Sequence, residues 1–420
     1  MQVLHSAVLV SVLSLAACQP AGSNPEETPT TQTTQATESN DVVLGTIDTI
    51  ESTILGEDRD LWIYLPRSVE DEHSDNIYPV VYLLDGNGHF RSVSGMIYQL
   101  STVNGNKKIP EMIVVGIPNT DRFRDLTPTH TEGTSGGGTA FLDFVENEVI
   151  PHVESNYPAS QHRTFIGHSL GGLMAIEALI TRPEVFTNYV AIDPSLWWDE
   201  QSVLHRAEAA LDEMDFSGKS LFVSIANTMP PGMTVDEVVE DDQERTTHIR
   251  SILQYSRNAE SNSRSGLNFE WAYYDEDSHG SVPLISEYDA FKFLYPWYEP
   301  DSDIFEMINS DMPDNPELAL QEVTGHYAML SERLGFNHPT PRSWAYQVAM
   351  AFQFNDKPES ALAFFQYNLQ NFPSHPLSHE SIGDFYLLQE DEESARLHFQ
   401  HALDRGADFD IDSKFAQSED

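Results

Sequence analysis

Short apolar runs alternate with helix-like spacing over the first two thirds of the chain. Residues 42–50 and 59–66 alternate apolar and polar positions, as paired edge strands do. Helical patterns cover residues 138–154 and 170–183. Further strands are predicted at 78–84, 111–117, 163–167, 188–193, 220–226 and 269–274. Strands that alternate with helices predict an α/β fold, with a mostly parallel sheet flanked by helices, over residues 42–300.

The last part of the chain, residues 301–420, has only helical patterns and contains an internal repeat. Residues Ala349, Phe352, Ser360, Ala361, Phe365 and Leu369 recur 34 positions later as Gly383, Tyr386, Ser394, Ala395, Phe399 and Leu403. This period and the small and aromatic positions resemble a tetratricopeptide (TPR) repeat. We therefore predict a smaller all-α helical-repeat domain, which either offers a groove to a protein partner or braces the first domain.

The N-terminal segment has the pattern of a secretory signal. A short apolar run ends in Leu15-Ala16-Ala17-Cys18, which resembles a bacterial lipobox with a lipidated cysteine. Residues 1–18 are thus predicted to be a lipoprotein-type signal peptide, although the start lacks Lys and Arg and an ordinary cleaved signal stays open. Residues 19–41 are polar and predict a flexible linker. The expected location is the periplasm or the outer membrane of a bacterium, with membrane contact only through the lipid anchor.

Composition excludes several classes of function. The formal net charge is −45, from 67 acidic and 22 basic residues. Such a surface repels phosphate backbones, so we predict that nucleic acid is not a partner. The chain has one cysteine, which cannot form an intrachain disulfide. No sequence pattern typical of a metal site is present, and we predict no metal and no cofactor.

One serine lies between two glycines, directly after an apolar run and before a helical pattern. Gly167-His168-Ser169-Leu170-Gly171 matches G-x-S-x-G, the sharp strand-to-helix turn that exposes a nucleophilic serine. The following helix directs N–H donors and its positive dipole end to the place where an oxyanion would develop. We predict that Ser169 is a nucleophile; the alternative is a small residue in a tight turn.

A nucleophilic serine needs a base, and the base needs an orienting group. His279 follows the strand 269–274 in a polar loop and is predicted to be the base. The acid is expected after the strand 220–226, where several carboxylates follow. We favour Asp241 among them, while a dyad in which Asn227 or a backbone carbonyl orients the base stays open.

Further candidates surround these residues. The backbone N–H of Leu170 and that of Gly86 or Asn87, in a glycine-rich loop after strand 78–84, are predicted to form the oxyanion hole. Trp197 and Arg122 follow strands on the side where open α/β sheets bind ligands, and both are candidate substrate-binding residues. Core packing for the tryptophan and a loop-stapling salt bridge for the arginine are the alternatives.

Residues 43–298 resemble a known family. Five motifs in order look like the esterase D and ferric-enterobactin esterase group, at residues 80–90, 116–130, 167–179, 191–199 and 275–284. The resemblance implies an α/β-hydrolase fold and hydrolysis of a small-molecule carboxylic ester, such as a siderophore, feruloyl or small acyl ester. It also implies Ser169 as nucleophile and His279 as base. The alternatives are a protein-binding lipoprotein with a secondary hydrolase domain, and an acyltransferase.

Overall fold

The structure is a computed structural model that describes residues 41–70, 76–132, 136–299, 308 and 314–416. The predicted signal peptide with Cys18 and all but the last residue of the predicted linker lie outside the described residues. In the described part of the chain, no helix combines the length and apolar character that crossing a bilayer requires.

One eight-stranded sheet organises the first region. In sheet order the strands run β1-β2-β4-β3-β5-β6-β7-β8. Strand β2 pairs antiparallel with β1 and β4, and the other neighbours are parallel. The bounds are β1 Thr46–Ser52, β2 Glu57–Tyr64, β3 Tyr78–Leu83, β4 Ile113–Gly116, β5 Ala159–His168, β6 Asn188–Ile192, β7 Ser220–Ala226 and β8 Asn268–Tyr274. The prediction of a mostly parallel sheet is confirmed.

Helices cover both faces of this sheet. They are α1 Gly86–Ser101, α2 Arg122–Asp125, α3 Gly138–Phe144, α4 Ile150–Asn156, α5 Leu170–Thr181, α6 Trp198–Glu213, α7 Val235–Glu240, α8 Thr247–Ser261 and α9 Val282–Leu294. Alternate residues of each strand point to opposite faces. In β3, Val80 and Tyr82 pack in one apolar cluster with α5, α6 and α8. Val81 and Leu83 pack in a second cluster with α1 and α9. This layered arrangement is the α/β-hydrolase-like fold that the sequence predicted.

A helical region follows. Its helices are α10 Pro316–Leu334, α11 Arg342–Phe354, α12 Pro358–Asn371, α13 Pro376–Leu388, α14 Glu392–Leu403 and α15 Ile411–Ala416. Helices α11 and α13 start 34 residues apart, and so do α12 and α14. Buried residues of α10 to α13, among them Val348, Phe365 and Phe385, form a separate apolar cluster. The prediction of an all-helical region in the last part of the chain is therefore confirmed.

Contacts join the helical region to the sheet region. The hydroxyl group of Tyr298, just after α9, lies 3.3 Å from Nε2 of His338, between α10 and α11. The ammonium group of Lys107 lies 4.7 Å from the ring centroid of Trp344 in α11. The helical region thus packs on the sheet region on the side of α9 and the segment after α1.

Candidate active site

Ser169 occupies the turn between β5 and α5 in a backbone conformation that few residues other than glycine adopt. Its φ is 60° and its ψ is −116°. A Cβ added to Gly167 would lie 2.2 Å from the Gly171 carbonyl oxygen, so the turn requires glycine at that position. The strained, glycine-flanked turn is the geometry expected for a serine that must stand clear of the sheet.

The loop after β6 holds the serine in place. The Ser169 amide donates to the Ile192 carbonyl at 2.9 Å, and its carbonyl accepts from the Ser195 amide at 3.0 Å. The two hydroxyl oxygens of Ser169 and Ser195 lie 3.3 Å apart. The nucleophile candidate therefore lies directly beside the carboxyl end of β6.

His279 meets a carboxylate from that same end of β6. Its Nδ1 lies 2.6 Å from Oδ2 of Asp193, which is fully buried. The other carboxylate oxygen, Oδ1, accepts from the Ala226 amide at 3.0 Å. The His279 ring also lies beside His168, with ring centroids 4.5 Å apart. These contacts bring His279, Asp193 and the residue before Ser169 together at one edge of the sheet.

A second imidazole shares the same carboxylate oxygen. Nε2 of His248, in α8, lies 3.0 Å from Oδ2 of Asp193. Burial alone would raise the pKa of Asp193, but hydrogen bonds from His248, His279 and the Ala226 amide outweigh it and hold the pKa well below its usual value. Asp193 is therefore a carboxylate at neutral pH, and each imidazole directs an N–H toward it.

The predicted acid, Asp241, lies elsewhere. It ends α7, and its Oδ2 accepts a hydrogen bond from the Thr246 hydroxyl at 3.0 Å. Asn227 does not hold the imidazole either, since its side-chain amide donates to the Asp275 carbonyl at 2.8 Å. The geometry thus corrects Asp241 to Asp193. The carboxylate follows β6 rather than β7, and its signal in the sequence was an acid that ends a buried strand.

The predicted oxyanion donors separate into two groups. Leu170 and Asn87 lie in the first turns of α5 and α1, where amides have no acceptor within the helix. The Gly86 amide instead donates to the Ile117 carbonyl at 3.0 Å, so the prediction of Gly86 as a donor is corrected. A Cβ at Gly86 would lie 2.6 Å from the Ile117 nitrogen. This close approach of two chain segments explains why residue 86 is a glycine.

Arg122 forms a salt bridge with Asp85 next to the site. Its Nε and Nη2 donate to the two Asp85 oxygens at 2.6 and 3.0 Å, and Nη2 also donates to the His168 carbonyl at 3.2 Å. Burial would raise the pKa of Asp85, but the Arg122 and Asn119 hydrogen bonds lower it below the usual value. The arginine thus ties the β3 and β4 loops to the residue before Ser169, as the salt-bridge alternative expected, and its role in substrate binding stays a prediction.

The two adjacent tryptophans have different environments. Trp198 is buried, and its Nε1 donates to the Thr129 hydroxyl at 3.2 Å. Trp197 is 43% exposed, two residues after Ser195. An exposed aromatic face so close in sequence to the site remains a candidate contact for a substrate.

Comparison with known proteins agrees with this fold. The protein has the fold of α/β-hydrolase-like proteins. The chain belongs to the esterase family described as "Putative esterase", whose model matches residues 52–266.

Individual relatives are similar over part of the chain. The siderophore triacetylfusarinine C esterase of Aspergillus fumigatus is 31% identical over 196 residues, 43% of this chain and 67% of that enzyme. The ferri-bacillibactin esterase BesA of Bacillus subtilis is 32% identical over 155 residues, 31% of this chain and 52% of that one. The chain thus spans about half to two thirds of these relatives.

A solved structure extends the similarity. An IroE-like serine hydrolase from Shewanella oneidensis, whose crystal structure is known, is 32% identical in sequence to this chain. The two structures match with a TM-score of 0.62. The match covers 76% of this chain and 97% of that one. The similarity in fold therefore includes more of the chain than the family model does.

Proposed function

We propose that the protein hydrolyses carboxylic esters with Ser169 as the nucleophile. Its membership of the esterase family supports the reaction class. The observation that carries the mechanism is the 2.6 Å hydrogen bond between His279 and Asp193, beside the strained turn at Ser169. Nucleophile, acid and base would then follow the strands β5, β6 and β8, of which β5 and β6 are neighbours in the sheet.

The reaction has two halves. In the first, the Ser169 oxygen attacks the ester carbonyl carbon while Nε2 of His279 takes the hydroxyl proton; the bond to the alcohol breaks, and the alcohol leaves with that proton. In the second half, His279 removes a proton from water, and the resulting hydroxide attacks the acyl-serine. The acid product leaves and the proton returns to Ser169. Asp193 holds Nδ1–H of His279 and stabilises the imidazolium in both halves.

The oxyanion of each tetrahedral intermediate requires donors that are not used within the fold. We assign the amides of Leu170 and Asn87 to this role, because both lie at helix N-termini. Each such donor contributes about 3 kcal/mol to transition-state stabilisation in serine hydrolases.

The substrate class follows from the relatives and from one side chain. The similar proteins include esterases of the siderophores triacetylfusarinine C and ferri-bacillibactin. The exposed indole of Trp197 would stack on an aromatic ring of an acyl group. We therefore propose siderophore-type esters as the first substrates to test, followed by feruloyl and small acyl esters. The comparisons favour neither the protein-binding nor the acyltransfer alternative.

Hydrolysis of p-nitrophenyl butyrate by the purified full chain tests the assignment. We expect Ser169→Ala and His279→Ala each to lower kcat by about 10⁴-fold or more. Exposed Ser155 and His205 offer matched control variants, Ser155→Ala and His205→Ala, which should keep wild-type rates. Full activity in Ser169→Ala would refute the mechanism.

From the sequence alone, we also propose that Cys18 is lipidated and anchors the protein to a bacterial membrane. Two acyl chains on Cys18 would hold the protein at the membrane. The polar linker would let the folded region extend away from the membrane surface. Fractionation of cells that express the full chain tests this proposal: the wild type should sediment with membranes and Cys18→Ala should not.

A further inference from the structure

Three histidines meet between two helices of the C-terminal region. His379 lies near the start of α13, and His398 and His401 lie one turn apart on α14. One ligand atom from each of the three residues lies within 4.8 Å of the others. Nδ1 of His379 and Nδ1 of His398 are 3.4 Å apart. Residues i and i+3 share a helix face, so the fold itself directs two rings toward the third.

The protonation of these rings suits a metal ligand. Burial lowers the pKa of His379 to about 4, and burial also lowers the pKa of His398. Both imidazoles are therefore neutral at neutral pH. A ring nitrogen of His379 is hydrogen-bonded to the Pro373 backbone oxygen. Because a neutral imidazole carries one N–H, its other nitrogen keeps a lone pair, and such a backbone contact is usual for histidines that bind metals.

Tyr386 and Arg405 lie beside this cluster. Tyr386 stacks on His398, with ring centroids 5.6 Å apart. Arg405 donates to the Pro373 and His401 carbonyls at 2.8 and 2.9 Å. Its charge lies near His379 and opposes a cation, so any ion must gain its binding energy from direct nitrogen ligation. His379 is buried, whereas His398 and His401 are half-buried.

We propose that His379, His398 and His401 bind a divalent transition-metal ion, with Zn²⁺ as the reference ion, and leave a fourth position to water or another exchangeable ligand. Tetrahedral Zn²⁺ with Zn–N bonds of about 2.0–2.1 Å spaces its ligand atoms about 3.3 Å apart. The His379–His398 pair already has this separation. The three ligand atoms lie within 4.8 Å of one another, so the third nitrogen would come into bonding position by side-chain rotation.

The site is distinct from the proposed catalytic centre. Among the described residues, the other cluster of this kind is Asp193, His248 and His279. Those imidazoles already donate to Asp193, and Zn²⁺ there would compete with the base and inhibit hydrolysis. Zinc bound at His379, His398 and His401 should instead leave ester hydrolysis unchanged. The two sites are therefore separable by activity as well as by mutation.

Titration of the untagged full chain with Zn²⁺ in a calorimeter tests the proposal, with Co²⁺ absorption as a second readout of nitrogen ligation. We expect one site that His379→Gln, and independently His401→Gln, weakens by about tenfold or more. Exposed His205 on α6 provides the control variant His205→Gln, which should bind as the wild type does. Bound Zn²⁺ should raise the Tm of the wild type but not of His401→Gln.

Folding of the His379→Gln, His401→Gln and His205→Gln variants is checked by their circular dichroism and by esterase rates, which should match the wild type. Two results would overturn the proposal. One is the absence of both a binding heat and a Co²⁺ absorption band at metal concentrations up to about 100 μM, which is far above the dissociation constants usual for structural zinc sites. The other is binding that persists in His379→Gln and His401→Gln but disappears in His248→Gln, since that would locate the metal at Asp193.

Discussion

At the residue scale, the central feature of this site is one carboxylate oxygen that accepts from two imidazoles. Oδ2 of Asp193 lies 2.6 Å from His279 and 3.0 Å from His248. His279 can be oriented only if Asp193 keeps its own position, and the Ala226 amide and His248 both fix it. His248 is thus a positioning residue, since it acts on His279 through Asp193.

Replacing the acid tests which carboxylate serves the base. Asp193→Asn keeps the shape of the side chain but offers no second acceptor oxygen, and it allows the wrong tautomer of His279. We expect kcat for p-nitrophenyl butyrate to fall by about 10³- to 10⁴-fold. Asp241→Asn is the matched control and should retain the wild-type rate, because Asp241 contacts Thr246. Loss of activity in Asp241→Asn alone would restore Asp241 as the candidate acid.

Replacing His248 tests the positioning role. His248→Ala removes one of the hydrogen bonds to Asp193, and we expect kcat to fall by about tenfold with little change in KM. His248→Gln can still donate an N–H to Asp193 and should recover most of the loss. An equal loss in both variants would indicate that the imidazole does more than hold the carboxylate.

Sequence reasoning reached some of these residues and missed others for a physical reason. Ser169 and His279 were predicted because each carries a local signal, a glycine-flanked turn and a polar loop after a strand. Asp193 has a weaker local signal, an acid that ends a buried strand, and its contact with His279 joins positions 86 residues apart, so the sequence does not show which acid meets the base. Gly86 was assigned to the oxyanion hole because glycine permits close approach; the close approach is to Ile117 within the fold.

At the element scale, the helical region shows how a repeat in the sequence becomes packing. Gly383 in α13 faces Phe399 in α14, and a Cβ built at Gly383 would lie 2.7 Å from two carbons of that ring. Phe399 is fully buried and has no room to move aside. The small residue therefore sets how closely these two helices approach. The helices were predictable from the 34-residue offset, whereas assignment to the tetratricopeptide family stays a prediction.

Two glycine-to-alanine variants make a matched pair. Gly325 lies inside α10 with no atom within 4 Å of an added Cβ, so Gly325→Ala should stabilise the helix by up to about 1 kcal/mol. Gly383→Ala gains the same propensity but must displace Phe399, at a cost of about 1–3 kcal/mol. Urea unfolding followed by circular dichroism measures the free energy of unfolding of each. Equal stabilisation in both variants would show that the helices do not pack as described.

At the scale of the whole molecule, charge is the dominant property. With 67 acidic and 22 basic residues, pairing each base with one acid would still leave about two thirds of the acids without a cation. The compact state brings these charges closer together than the unfolded chain does. Mobile cations should therefore stabilise the fold by screening the repulsion.

A salt titration measures this effect. We expect the Tm to rise by several degrees between about 0.02 and 0.5 M NaCl, because the Debye length falls from about 20 Å to about 4 Å over that range. KCl at equal ionic strength should act in the same way, since screening does not depend on the identity of the ion. A Tm that is constant or falls with NaCl would mean that local ion pairs outweigh the net repulsion.

The pH dependence of stability has a contribution from one buried acid, Glu287 in α9. Burial raises the pKa of Glu287 to about 8, against the lowering effect of the Ser92 hydrogen bond. In the unfolded chain the same group ionises near pH 4.5, so between pH 4.5 and 8 the folded state binds more protons than the unfolded state does. The free energy of unfolding therefore falls as pH rises through this window and changes no further above it.

We expect this fall to amount to several kcal/mol, since each unit of pKa difference corresponds to about 1.4 kcal/mol. Glu287→Gln removes the ionisable group and keeps an uncharged side chain of similar shape in the buried position. We expect the wild type to lose stability between pH 5.5 and pH 8.5 more steeply than Glu287→Gln does. Exposed Glu317 in α10 provides the control variant Glu317→Gln, which removes the same charge from the surface. Urea unfolding at each pH gives the three slopes, and equal slopes for the wild type and Glu287→Gln would show that Glu287 is already ionised in the folded protein.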